Sequence, residues 1–211
     1  MSLLREEDRQ EIRKIFNDLV NPVKLVAFKS DKDCDYCPDT IMLLEELSQL
    51  DDRLELEVYD LDDEKAREYS IDKVPAIAIV GDKDYGVRFF GIPAGYEFAA
   101  LLGDIIDVSK RDSGLAAPLR EQLKKINIPV HIQVFVTPTC PYCPTAVRTA
   151  HKIAIESDMV RADMVEAQEF PELANRYNVY AVPKIVINDK VEFEGAYAEP
   201  VFVQQVLRVL E

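Results

Sequence analysis

Apolar positions along this chain recur in two rhythms, three to four residues apart or every second residue, and the rhythm changes at polar or proline-bearing breaks. Between Arg5 and Leu19 the residues Ile12, Ile15, Phe16 and Leu19 share one face of a helix, which Asn21-Pro22 stops. Val23 to Phe28 reads as a short, largely apolar strand, and Ser30 to Asp33 as a polar loop. Ile41, Leu44 and Leu47 then restore helical spacing, with Pro38 in the first turn, where its missing N–H is tolerated. Leu54, Leu56 and Val58 alternate with Glu55, Glu57 and Tyr59, which predicts a strand with one buried face. A short helix over Glu64 to Tyr69 follows. Ala76 to Val80 and Val87 to Phe90, joined by the Gly81 to Gly86 turn, predict a hairpin, and Phe98 to Val108 a closing helix.

The same order then repeats. Helix Leu115 to Ile126, strand Val130 to Val136, helix Pro144 to Glu156, strand Val160 to Val165, helix Pro171 to Tyr177, hairpin Lys184 to Phe193 and helix Glu199 to Leu210 reproduce the pattern αβαβαββα. Individual residues repeat too. Cys34 and Cys140, Tyr36 and Tyr142, and Pro38 and Pro144 are each 106 apart, Val74-Pro75 and Val182-Pro183 are 108 apart, and Gly91 and Gly195 are 104 apart. So small a drift indicates an internal duplication with minor loop changes, and a repeat of about a hundred residues is domain-sized. Strand, crossover helix, parallel strand and antiparallel hairpin predict an α/β fold. Each of the two tandem domains is a mixed four-stranded sheet flanked by helices. The small polar cluster Asp112-Ser113-Gly114 puts the boundary between residues 1–113 and 114–211.

With 48% apolar and 30% charged residues, the 211-residue chain has the composition of a globular protein with two modest cores. Its net charge of −14, from 25 basic and 39 acidic residues, argues against a nucleic-acid partner, because phosphate binding needs a basic face. No stretch approaches the length of an apolar membrane span, and the first residues lack the apolar core of a signal peptide. A cytoplasmic protein without membrane contact is therefore expected. The high charged fraction, seven glycines and absence of tryptophan lean towards a thermophile.

All four cysteines lie in two CxxC pairs, Cys34-Asp35-Tyr36-Cys37 and Cys140-Pro141-Tyr142-Cys143. In a reducing cytoplasm such pairs point to redox catalysis or to metal, and hyperthermophile cytosols add structural disulfides. Four-thiolate zinc sites usually separate their pairs by about 15–20 residues, far less than here, so no metal is expected. CxYCP at a strand-to-helix junction, followed some forty residues later by Val-Pro opening an apolar strand, resembles the thioredoxin and glutaredoxin superfamily. Two such units resemble the glutaredoxin-like protein disulfide oxidoreductases of thermophilic archaea and bacteria, across nearly the whole chain.

The resemblance implies thiol–disulfide exchange on protein dithiols and disulfides, without a bound cofactor, and with a thioredoxin-reductase-like flavoprotein as the supplier of electrons. Cys34 and Cys140 would attack and Cys37 and Cys143 resolve, each pair closing its own local disulfide at a helix start, where the dipole stabilises a thiolate. The matching Val74-Pro75 and Val182-Pro183 bonds would be cis and would face their CxxC, offering backbone to an extended substrate. Tyr36 and Tyr142 are either solvent-facing spacers or apolar contacts for substrate, and both sites should be open to solvent. A second resemblance is to the N-terminal part of the alkyl hydroperoxide reductase flavoprotein, an electron relay that normally keeps one CxxC and is followed by a flavin domain. Two intact motifs favour the free-standing oxidoreductase.

Two departures from the relatives are visible. Six residues before each first cysteine, where thioredoxins bury a carboxylate, stand Phe28 and Val134; the glycine pair by which glutaredoxins hold glutathione is replaced by Gly91-Ile92-Pro93 and Gly195-Ala196-Tyr197. His131 and His151 lie far from either CxxC in sequence and read as structural. The two sites should also be unequal. A carboxylate at Asp35, about 6 Å from a thiolate at an effective dielectric near 40, costs the reduced Cys34 site up to about 1 kcal/mol, a cost that Pro141 does not impose on Cys140. The Cys140 site is therefore expected to be the more oxidising.

Overall fold

Proline and polar breaks end the elements close to where the periodicity places them. In the computed structural model, which describes residues 2–211, helix α1 (Glu6–Phe16) precedes strand β1 (Val23–Lys29), helix α2 (Cys37–Ser48) and strand β2 (Leu54–Asp60). Helix α3 (Glu64–Glu68) starts at Asp63, whose side chain accepts the Lys65 N–H at 2.8 Å. The hairpin β3 (Ala76–Val80) and β4 (Asp84–Phe90) and helix α4 (Glu97–Lys110) complete the first half. The second half is α5 (Ala117–Leu123), β5 (Val130–Val136), α6 (Cys143–Glu156), β6 (Val160–Glu166), α7 (Pro171–Arg176), β7 (Lys184–Ile187), β8 (Val191–Glu194) and α8 (Glu199–Leu207). Three helices are shorter than their apolar spacing predicts, and α1 stops at Phe16, before Leu19. Pro118 stands in the first turn of α5, and the last residues after α8 tighten into a 3₁₀ turn at Arg208–Leu210.

Each half forms the expected mixed four-stranded unit, and the two units join edge to edge. The strand order is β2-β1-β3-β4-β6-β5-β7-β8, one continuous eight-stranded sheet. Parallel pairing of β4 with β6, Val87 opposite Ala162 through Phe90 opposite Val165, makes the seam. This explains why one repeat element behaves differently in its two copies. β6 is interior and almost wholly buried, whereas its counterpart β2 is the sheet edge, so the alternation there covers Leu54 but leaves Val58 37% exposed. Pairing β4 with β6 removes two edges that would otherwise invite association with other chains.

Helices α1, α2, α4, α5, α6 and α8 pack on one face of the sheet over the main core, and short α3 and α7 cover the other. At the seam the backbones come very close. Gly86, at φ +77°, is so near β6 that an added Cβ would sit 2.7 Å from the Val160 carbonyl oxygen. Above it α4 packs beside α6, and a buried polar cluster crosses from one half to the other. Asp104 on α4 binds Arg148 and, at 2.6 Å, Nδ1 of His151, while Asp107 accepts from Arg148 at 2.7 Å. The His151 Nε2 reaches the Arg88 carbonyl at 3.1 Å, so every member has a partner.

Removing one partner from such a cluster strands buried charge. Asp104→Ala is expected to lower unfolding stability by about 3–5 kcal/mol in urea titration. A Lys14→Ala change in the exposed Glu11–Lys14 pair should leave the midpoint essentially unmoved.

Candidate active site

Each CxxC falls where a parallel strand ends and a helix begins, β1 to α2 and β5 to α6, because Cys37-Pro38 and Cys143-Pro144 supply the first helical residues. Cys34–Cys37 and Cys140–Cys143 are disulfide-bonded within their own motifs, with Cα–Cα distances of 5.4 and 5.5 Å. The local environments differ. The Cys143 N–H, one of the free donors at the α6 terminus, points at Cys140 Sγ from 3.1 Å. The Cys37 N–H is instead used by the Cys34 carbonyl at 3.4 Å. A thiolate at Cys140 thus has a preset backbone donor, and one at Cys34 does not.

The expected openness to solvent holds for the first attacking sulfur but not for the second. Cys34 is partly exposed and lines a cavity of about 430 Å³ with Pro38, Ile41 and Met42, whereas Cys140 is 8% exposed. Cys140 sits at the end of a tighter loop, three residues (137–139) against four (30–33) in the first half. That missing residue also corrects the six-residue step back. Phe28 faces α3, against Tyr59 and Tyr69, whereas Val134 faces the main helical core; the structural counterpart of Phe28 is Phe135, against Tyr177.

Both Val74-Pro75 and Val182-Pro183 bonds are cis. The Val182 carbonyl oxygen lies 3.8 Å from Cys140 Sγ. The repeated glycines also acquire a role, since the N–H of Gly91 donates to the Pro75 carbonyl and that of Gly195 to the Pro183 carbonyl, each at 2.9 Å. Tyr36 and Tyr142 are both exposed, Tyr142 to 70%. His131, at 2.5 Å from Asp163, and His151 belong to structural ion clusters rather than to either dithiol.

A residue that the sequence pattern did not single out lies buried at the start of α4. Gly95, at φ +60°, and the Tyr96 N–H both abut the Pro138 carbonyl, which pins the start of α4 to the loop before Cys140. At the far ends of the two helices Ser113 bonds Glu156, so α4 and α6 run side by side in the same direction. Asp104 meets His151, and two turns earlier on each helix stand Glu97 and Pro144. That puts Glu97, from the other half of the molecule, level with the first turn of α6. It is 2% exposed, neither carboxyl oxygen has a hydrogen-bond partner among the described residues, and burial, helped by Asp104, pushes its pKa up to about 8. A second acidic pair lies at the seam between the two sites. Glu169 accepts the Ile92 N–H at 2.7 Å and is raised by burial to about 7, and burial also raises Glu166.

Known proteins resemble this chain in sequence and fold. The profile described as a thioredoxin domain matches residues 130–208. The crystal structure of a protein disulfide oxidoreductase from Aeropyrum pernix k1 superposes with a TM-score of 0.90 at 36% identity, covering 96% of this chain and 91% of that one. The NTD_N/C domain of the alkylhydroperoxide reductase AhpF from Enterococcus faecalis superposes with a TM-score of 0.88 at 28% identity, covering 96% and 99%. Among curated proteins, the NADH dehydrogenase of Bacillus subtilis is 25% identical over 185 residues, 88% of this chain and 33% of that protein. The alkyl hydroperoxide reductase protein AhpF of Staphylococcus aureus is 26% identical over 188 residues, 88% of this chain and 34% of that one. The chain thus spans about a third of the curated relatives it matches.

The raised pKa of Glu97 makes stability depend on pH in a stated direction. The folded state holds a proton that the unfolded chain releases near the ordinary value of 4.5, so stability falls as pH rises from about 4.5 to about 8. Glu97→Gln cannot titrate and should flatten that slope in thermal melts across pH 5 to 8. Its benefit at pH 8 is up to about 4 kcal/mol.

Proposed function

The chain belongs to the protein disulfide oxidoreductases of the thioredoxin and glutaredoxin superfamily and is a thiol–disulfide oxidoreductase with two CxxC sites, and from that premise we propose how its residues share the reaction. Cys34 and Cys140 are the attacking sulfurs, and Cys37 and Cys143 resolve. In the reductive direction the Cys140 thiolate attacks one sulfur of a substrate disulfide, forming a mixed disulfide and expelling the other substrate sulfur as a thiolate. Cys143 then loses its proton and attacks Cys140 Sγ, breaking the mixed disulfide, expelling the second substrate sulfur as a thiolate and closing the protein disulfide, so that two electrons have passed to the substrate. The observation that carries this reading is the Cys143 N–H aimed at Cys140 Sγ within a motif whose second cysteine is buried.

Glu97 takes the proton that Cys143 gives up, and returns it when the site runs in reverse. Its pKa of about 8 keeps both protonation states populated near neutrality, which suits a group that must work in each direction. The Val182 carbonyl, 3.8 Å from the attacking sulfur, and Val74 at the matching place lie where an extended substrate would pair, with Pro75, Pro183, Tyr36 and Tyr142 shaping the contact. A flavoprotein reductase supplies the electrons. The workplace is a cytoplasm, where thiols are kept reduced and a cycling dithiol has use.

The likeness to the AhpF domain favours a second reading, an electron relay to a hydroperoxide-reducing partner. Under that reading the protein would pass electrons from a reductase to a peroxidase disulfide much faster than to insulin.

Cys34→Ser together with Cys140→Ser should abolish reduction of insulin disulfides, while either change alone leaves turnover. With only the Cys140 site intact, Glu97→Gln should slow resolution of the mixed disulfide by about ten- to a hundredfold, as expected for loss of a proton acceptor. The Cys34 site, tested alone, should not respond. Glutathione equilibration of each isolated site should find the Cys140 site more oxidising by up to roughly 30 mV, and Asp35→Pro should narrow the gap.

A further inference from the structure

Beside the Val182 carbonyl a groove of about 300 Å³ runs away from Cys140, lined by Thr137, Ala167, Pro171, Val179, Ala181 and Val182, and flanked by Tyr180. Not one of these side chains is charged, in a chain of net charge −14. Tyr180 stands two residues before Val182 and is 89% exposed, with neither a hydrogen bond nor an aromatic partner among the described residues. Leaving a tyrosine ring fully in water contributes nothing to the fold. Exposed tyrosines beside a pocket are the residues that anchor partners, because they bury a large area at little entropic cost.

The duplication supplies an internal control. At the place of Tyr180 in the first half stands exposed Asp72, two residues before Val74, with Lys73 beside it forming an ion pair at 2.7 Å. The two halves therefore share their dithiol, their cis Val-Pro and their glycine–proline bond, and differ in the side chain two places upstream.

We infer that Tyr180 is a specificity-determining residue of the Cys140 site. It selects extended polypeptide disulfides that carry an aromatic or large aliphatic residue about two positions from the attacked cysteine. This rests on the oxidoreductase reading above. A substrate strand paired alongside Ala181 and Val182 advances residue for residue with them, which puts its side chain two positions from the attacked cysteine over the ring and the groove. Asp72 turns the same position in the first half against apolar substrates. The partner is thus the kind of segment exposed by an unfolded or misfolded protein, apolar and uncharged next to its cysteine.

The test uses full-length protein carrying Cys34→Ser and Cys37→Ser, so that only the Cys140 site reacts. Two disulfide-bridged peptides, identical except for Phe or Asp two residues from the cysteine, are compared with hydroxyethyl disulfide as reference. The parent should prefer the Phe peptide by about tenfold in kcat/KM, through KM. Tyr180→Asp should remove that preference and Tyr180→Phe should keep it. A parent that reduces both peptides and the reference without preference, or a Tyr180→Asp protein that retains the preference, overturns the role of Tyr180 alone. A parent that reduces none of the three disulfides overturns the oxidoreductase reading, and this inference with it.

Discussion

The parallel pairing of β4 with β6 is the interaction on which the rest of this molecule depends. Without it there would be two thioredoxin-like units with exposed edges. With it α4 of the first half lies against α6 of the second, and the buried Glu97 is held level with the start of α6 from outside that repeat. Because the halves join head to tail, the consequence is one-sided. The first dithiol has a buried acid on its own helix, Glu46, but that carboxylate is nine residues beyond Cys37 and is occupied by Arg9 and the Leu3 and Leu4 amides. Two copies of one motif therefore become two different sites through their neighbours.

The seam is polar at its centre. Arg88 with Asp84, Arg161 with Asp163 and His131, and Asp104 with Arg148 and His151 all lie at or across it. Asp163 is fully buried, and the charge of Arg161 and the His131 contact overcome its desolvation to hold its pKa far below the ordinary range. Apolar residues of the same volume would often serve stability as well. What charged clusters add is a demand for one register: sliding β6 by a residue would carry Asp163 away from His131 on β5, where the two now meet at 2.5 Å.

The sequence made the elements and the dithiols legible because both are local. Helical spacing after Pro38 and Pro144, the apolar runs of β3 and β7 and the CxYCP motifs each fit within a dozen residues. Joining the halves was not legible, since a parallel pair between distant strands leaves no local mark. The six-residue step misled for a related reason. A loop one residue shorter moves the counted position to the opposite face of the strand. Glu97 carries no sequence mark of its position, since it lies forty-three residues before Cys140, in the other repeat.

The strand order also limits what two dithiols in one rigid sheet can do together. Both follow parallel strands and emerge at the same end of the sheet, but β3, β4 and β6 stand between β1 and β5. Four spacings of about 4.8 Å put the sites roughly 19 Å apart, whereas exchange requires sulfur to touch sulfur. Electrons therefore cannot pass from one dithiol to the other within the folded chain. Each site must meet its own partner, or both must act on one polypeptide long enough to span the seam, where Gly91, Ile92, buried Glu166 and half-buried Glu169 form the ground between them. An extended chain covers that distance in about six residues, so a single unfolded substrate with two cysteines can engage both sites at once. Simultaneous engagement converts the second encounter into an intramolecular one, a benefit that two separate single-dithiol proteins would not have.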